Sequence, residues 1–465
     1  MSAVPPSIDA TLADARALRA AGRLRDAEAA FRTVLAFQPD HAEALWSVGV
    51  FARQRGDLVA ATEALTRAAG AAPREPAIWL ELGAVRAAAA QYAEARGAAG
   101  RALKLQPDWV DALGLLAEIE IRAGDGEAAL RFAQRVLKMR PELAAAHVLC
   151  GAACAVSGRL AEAEAAFRRA LELAPDDAWA TAQLANALRD QGRLSDAEPL
   201  YRAALERAPE AAELLVELGD AYVKAGRLDD AEQAYREAIW RRRDLEAGWT
   251  NLFELVKRRG DAVRILEVAR DAVEALPRSA EARVMQSAAL VAQGDLAGAA
   301  TMLEGARAAG IDSVRLRASL GSVLRVGGRL EEAATVLAEA VAAAPEDVDG
   351  LLEYALTERA RGRHDEALAL ARRAADASRR RDVRALALEG TVLADLGRWD
   401  GALRAYESAL SLAPAAPDLL VAMGRALRGA LRLEEARLRC QDALALAPTH
   451  RDALNLLAEL DKYRG

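Results

Sequence analysis

The chain has 465 residues, 53% of them hydrophobic, 28% charged and only 4% aromatic. So much apolar surface excludes an intrinsically disordered chain, and so few aromatic residues exclude a β-sandwich or barrel. The formal net charge is −7, from 62 basic and 69 acidic side chains of interspersed sign, which lacks the basic excess of a nucleic-acid binder.

Ala, Leu, Arg and Glu dominate and only five Lys occur, a helix-favouring composition that predicts an all-α fold. Three cysteines cannot make a disulfide framework, which fits a reducing compartment. The opening residues Met1-Ser2-Ala3-Val4 carry no basic or apolar leader. The longest charge-free run, Leu143 to Gly158, is sixteen residues and too short to span a bilayer. The expectation is a cytoplasmic protein with no membrane insertion and no nucleic-acid partner.

Along the chain, residues 1–7 read as a lead, and a period of 34 begins at residue 8. Pro39, Pro73, Pro107, Pro141, Pro175 and Pro209 mark six units. Further steps reach Arg243, Pro277, Ile311, Pro345 and Arg379, and after one extra residue near 382, Pro414 and Pro448. Thirteen repeats thus fill residues 8–450, and residues 451–465 remain as a capping helix. Each unit is counted from the third residue after the preceding proline position, so that place 1 is residue 8, 42, 76 and onward. Place 15 is then Gly in eleven of thirteen units, and place 20 is Ala in twelve, the exception being Ile265. Place 8 is Gly or Ala in eleven.

Each column has a physical reason. Apolar periodicity predicts one helix over places 2–14 and another over places 18–31. Gly at place 15 ends the first helix in a left-handed turn. Pro at place 32 stops the second helix. Small residues at places 8 and 20 let the two backbones approach. One such hairpin cannot bury its apolar face alone, so units must stack.

These columns resemble the tetratricopeptide repeat, a helix-turn-helix unit of 34 residues. The seventh unit carries Leu215, Leu218, Gly219, Tyr222, Gly226, Ala231, Tyr235 and Ala238 at signature places, with Arg243 where the family has Pro. The resemblance covers residues 8 to about 461. It implies a right-handed superhelix, or α-solenoid, whose first helices line a concave groove that binds peptides or protein partners.

On that implication, places 5, 9 and 12 of the first helices face the groove. The candidate peptide-binding residues are Trp46, Val50, Arg53, Leu80, Val148, Asn186, Arg189, Asp220, Asn251, Glu254 and Lys257. They give an apolar floor in units two to five and a mixed polar one in units six to eight. Trp46, shifted to place 5, either turns into the groove or lies flat on the neighbouring repeat, while Trp79 and Trp249 at place 4 read as core. Two family specialisations are absent. The carboxylate-clamp places hold Leu12, Arg16, Ser47, Ala77 and Glu81, and only Asn251 holds the place of a transferase Asn ladder.

No catalytic, metal or cofactor constellation is visible. The four histidines, at 41, 147, 364 and 450, are scattered. Cys150 and Cys154 share one helical face, either as a metal or redox pair or as small core residues, and the core reading is favoured. Carboxylate pairs such as Asp229-Asp230 and Glu331-Glu332 fit helix N-termini. The triplets Arg241–Arg243, Lys257–Arg259 and Arg379–Arg381 end helices or mark the insertion, as solvated caps in preference to an anionic-partner site. In the tail, Leu454, Leu457 and Ala458 are expected to face inward, with Asp461, Lys462 and Arg464 polar. The leading function is a non-catalytic protein-interaction scaffold binding a peptide or protein partner. The alternatives are a self-assembling homo-oligomer and the repeat arm of a transferase complex.

Overall fold

The computed structural model describes residues 7–462, and among them no strand occurs. Twenty-seven helices follow one another among the described residues. The chain divides into two compact units, Met1–Ala231 and Glu232–Gly465. The first contains α1 (Ile8–Ala20), α2 (Leu24–Phe37), α3 (Ala42–Gln54), α4 (Leu58–Ala71), α5 (Pro76–Ala88) and α6 (Tyr92–Leu105). It continues through α7 (Val110–Ala123), α8 (Gly126–Met139), α9 (Ala144–Val156), α10 (Leu160–Leu173), α11 (Ala178–Asp190), α12 (Leu194–Arg207) and α13 (Glu213–Lys224). The division falls inside α14 (Leu228–Arg241). The second unit holds α15 (Glu246–Arg259), α16 (Ala262–Ala275), α17 (Ala280–Ala292), α18 (Leu296–Ala308), α19 (Val314–Val326) and α20 (Leu330–Ala343). It ends with α21 (Val348–Ala360), α22 (His364–Ala377), α23 (Val383–Asp395), α24 (Trp399–Leu412), α25 (Pro417–Gly429), α26 (Leu433–Leu446) and α27 (Arg451–Asp461).

The helices occupy places 1–13 and 17–30 in most repeats, one residue earlier than the apolar pattern predicts. Capping decides the difference. The residue before a helix is often Asp or Ser, and its oxygen accepts an N–H of the first turn, as Asp177 does for Ala180 at the start of the first helix α11 (3.0 Å) and Asp57 for Ala60 at the start of the second helix α4 (3.0 Å). His41 and His450 cap in the same way, their Nδ1 atoms accepting from Ala44 and Ala453 at 3.3 Å.

Every repeat then turns through left-handed backbone at place 15. Eleven use Gly; Ala90 and Leu431 adopt it with φ of 58° and 61°. The place-32 turn has its own donors. Its carbonyl accepts from the place-4 side chain six residues on, Trp79 Nε1 to Pro73 (2.9 Å) and Trp249 Nε1 to Arg243 (2.8 Å). His147 does likewise at Pro141, 3.0 Å.

Alanine at place 20 is fully buried in all twelve repeats that have it, and Ile265 is 6% exposed. Glycine at place 8 makes room for the side chain at place 24. A Cβ on Gly151 would lie 2.6 Å from the Phe167 ring, and one on Gly49 2.6 Å from Leu65 Cγ. Places 3 and 10, a column that sequence reading passed over, pack each first helix onto the preceding repeat. In the last helix they are Ala453 and Leu460, both at 0%.

This corrects the expected face of α27. Its buried residues are Ala453, Leu456 and Leu460, whereas Leu454 is 46% exposed and Ala458 is exposed. Only Leu457 of the expected set packs partly inward. No second helix follows α27 among the described residues, so its place-4 and place-8 positions meet nothing. Arg437 closes this end by donating to the Leu460 carbonyl at 2.6 Å and to Asp461 at 3.2 Å. Of the residues expected in the terminal segments, 1–6, Tyr463 and Arg464 lie outside the described residues.

Carboxylates at second-helix starts do more than complement the helix dipole. Arg227 pairs with Asp230 of its own helix (2.6 Å) and with Glu198 of the preceding repeat (3.0 Å). Arg193 repeats this with Asp196 (2.7 Å) and Glu164 (2.9 Å). The arginine triplets are likewise engaged, Arg243 with Glu274 at 2.9 Å and Arg380 with Glu389 at 2.9 Å. Solvated capping therefore understates them; they tie neighbouring helices.

Candidate functional site

Within each unit, consecutive first helices touch: α3–α5, α5–α7, α7–α9, α9–α11 and α11–α13 in the first, and α15–α17 through α25–α27 in the second. Consecutive second helices do not come as close among the described residues. The first helices therefore form the inner side of each stack.

In the first unit this inner face begins with cross-links. Arg16 pairs with Glu43, and Arg53 with Glu81 at 3.1 Å. Trp46, Val50 and Leu80 are half-buried between them. Trp46 packs on the core while Arg19 lies over its ring at 5.5 Å, and its Nε1–H is buried without an acceptor. Trp46 thus rests with one side on its repeat and has Arg19 over the other. Val148 is buried at 8% exposure, so the apolar floor is shallower there than the column suggests. Trp249 is core, as expected, but Trp79 stays half-buried, although both make the place-32 hydrogen bond.

Farther along, α11, α12 and α13 bring polar groups together. Asn186 Oδ1 accepts from the Tyr201 hydroxyl (2.5 Å) and from Arg189 (3.2 Å), and Arg189 also reaches Asp190 at 2.9 Å. Glu217, absent from the sequence candidates, joins them from place 6. Burial pushes its carboxyl above the usual carboxylate range, against an Asn186 hydrogen bond and the Arg189 charge that pull it down. One of its oxygens is buried without a hydrogen-bond partner. Burial also raises the Tyr201 phenol well above its ordinary value. Asp220 lies half-buried one turn beyond Glu217 on α13. Trp179, a second residue missed, is 63% exposed on α11. Its spacing to Asn186 and Arg189, seven and ten residues, sets all three on one helical stripe. The available signal was Trp at place 2, the start of that stripe.

Asn251, Glu254 and Lys257 belong to the second unit, all on α15. Lys257 pairs with Glu254 at 2.8 Å and lies 5.8 Å over the Phe253 ring. Asn251 is half-buried beside them.

Sequence comparison decides the family. The tetratricopeptide repeat profile matches residues 12–76, 80–142, 116–178, 183–247, 318–382 and 387–451, well over half of the chain. The chain belongs to the tetratricopeptide repeat family. Comparison with curated proteins gave no match. Among solved structures, the chain is similar to a tetratricopeptide repeat protein from Parabacteroides merdae, with TM-score 0.48 and 17% identity, over 54% of this chain and 98% of that one. It is also similar to yeast Tom70, with TM-score 0.44 and 14% identity, over 92% and 96% of the two chains. A chain of the APC/C hetero-tetramer Cut9-Hcn1 has TM-score 0.45 and 13% identity, over 92% and 98%.

Cys150 and Cys154 are buried, and burial pushes the Cys150 thiol up to about 11. A thiol held protonated packs as a small apolar group. Among the described residues no three metal-capable side chains come together, and no helix is long and apolar enough to cross a membrane.

Proposed function

We propose that this tetratricopeptide protein is a non-catalytic interaction scaffold, and that the first-helix face of its first unit holds a peptide segment of a protein partner. The observation that carries this reading is the α11–α13 face. An exposed Trp179 stands about two turns before Asn186 and about three before Arg189 on α11, and the half-buried Glu217 of α13 hydrogen-bonds Asn186. A large aromatic anchor beside polar groups with unused hydrogen-bonding capacity is the composition of a binding hot spot.

Affinity capture with mass spectrometry, comparing wild type with Trp179→Ala and Asn186→Ala, tests the reading. A specific partner retained by wild type and depleted at least tenfold by both variants supports it. Undiminished capture by both variants sinks it. Light scattering across a concentration series separates heterologous binding from self-assembly, because a strict monomer cannot be using the face for a second copy.

A further inference from the structure

The outer side of the first unit carries one place where the repeat is hollowed out. At place 25 of the second helix, Arg32, Arg168 and Arg202 each form an ion pair with the place-21 glutamate of the same helix, at 2.8 Å in all three. Repeats two and four, with Thr66 and Gln134 at place 25, also lack the pair, but only the third repeat has no side chain there. Its place 25 is Gly100 and its place 21 is Arg96, whose guanidinium turns away to Glu120 on α7 at 2.6 Å. Gly97 stands one turn before Gly100. A Cβ on either glycine would meet nothing within 4 Å. Interior helix glycines cost about 1 kcal/mol each relative to Ala, and no packing contact in this hairpin asks for them.

The consequence is a crevice of about 440 Å³ between α6 and α8, floored by Leu103, Leu116 and Phe132 and rimmed by Lys104 and Arg135. The equivalent crevice between α14 and α16 of the second unit, where Arg236 holds place 25, measures about 170 Å³. The walls are also unusually basic for a chain of net charge −7. Helix α6 carries Arg96, Arg101 and Lys104 against Glu94, and α8 carries Arg131, Arg135 and Lys138 against Glu127. Arg96 is committed to Glu120 and Arg101 to the Trp79 ring at 5.0 Å. Lys104, Arg131 and Lys138 have no carboxylate within 4 Å among the described residues, although arginines elsewhere on second helices are mostly paired.

We propose that this crevice is a second docking site, on the opposite side from the first-helix face, for an acidic protein segment that inserts one aromatic or long aliphatic side chain. The apolar floor, opened by the loss of the place-25 side chain, takes the anchor. Lys104 at the rim and the unpaired Arg131 and Lys138 farther along α8 draw the segment's carboxylates, and charge complementarity of this kind chooses partners and accelerates encounter.

The test uses the full chain and a fluorescein-labelled peptide, Glu-Asp-Glu-Phe-Glu-Asp-Glu, followed by anisotropy at low salt, with the same peptide carrying Ser for Phe as comparison. The Phe peptide is expected to bind saturably and at least tenfold more tightly than the Ser peptide. Gly100→Leu fills the crevice from a position with open space around it. It should weaken the Phe peptide at least tenfold while the melting temperature stays the same or rises. Lys104→Glu, a surface change, should weaken it at least fivefold and flatten its salt dependence. The proposal is overturned by equal affinity for the two peptides, by no saturable binding, or by Gly100→Leu binding within twofold of wild type. It is also overturned if Trp179→Ala, on the first-helix face, abolishes the binding instead.

Discussion

Leu431 and Ala90 hold left-handed backbone at a place that eleven other repeats give to Gly. A side chain there crowds its own carbonyl and costs about 1–2 kcal/mol. Leu431 is 83% exposed, so removing its side chain forfeits little burial. Leu431→Gly is expected to raise stability by about 1 kcal/mol, measured as a higher denaturation midpoint; an unchanged or lower midpoint contradicts the strain. The reverse logic applies at Gly151, where a new Cβ meets the rigid Phe167 ring at 2.6–2.8 Å. Gly151→Ala should destabilise by about 1–3 kcal/mol, whereas Gly305→Ala, a helix-interior glycine with open space, should stabilise by up to about 1 kcal/mol. Equal effects from the two would refute the close-approach reading. Glu217 sets a pH dependence. Its carboxyl is raised in the folded state, so its contribution favours folding below the unfolded value and is lost as pH rises through the folded one. Glu217→Gln should therefore gain on wild type as pH rises from 4 to 7, and parallel stability curves over that range would contradict it.

At the scale of elements, helix periods and turns were legible because each depends on residues close in sequence. Gly and Pro at places 15 and 32 mark turns whatever surrounds them, and helix boundaries shifted by a single residue when the Asp, Ser and His caps were satisfied. What was not legible was the neighbour. Ala234 lies three residues after Ala231 on the same helix face and is 6% exposed, because α14 is covered by neighbouring helices on more than the place-20 side. Leu454 and Ala458 fit the inward columns of an interior repeat, but those columns need a second helix to cover them. The eighth hairpin departs most from the small-residue columns. Phe253 and Ile265 replace the small residues at places 8 and 20, both are buried, and α15 and α16 approach over less of their length than most hairpin pairs. In the next repeat Ser287 is fully buried with its hydroxyl unpartnered. Local opening follows local packing in repeat arrays. Backbone amides of α15 and α16 are expected to exchange at least tenfold faster than those of α9 and α10, and uniform protection across both hairpins would exclude this.

For the whole molecule, a chain with two compact units and nearest-neighbour contacts has no reason to unfold in one step. Scanning calorimetry is expected to give a calorimetric enthalpy larger than the van't Hoff value, by about half or more, since each unit contributes its own transition. Equality of the two enthalpies would show a single cooperative unit. The sequence alone determined the helical class, the period, the family and the small-residue columns, because each recurs in copies that confirm one another. It also pointed to the first helices as a binding face. It did not reveal which face residues are reachable. Val148, Trp46 and Leu80 share a column and differ in exposure, while Trp179 stays exposed and Glu217 is half-buried against Asn186 of the neighbouring repeat. The crevice at Gly100 likewise depends on an ion pair that is missing and on Phe132 from the next repeat. Such properties belong to pairs of side chains from different repeats, and only the stacking of helices brings those pairs together.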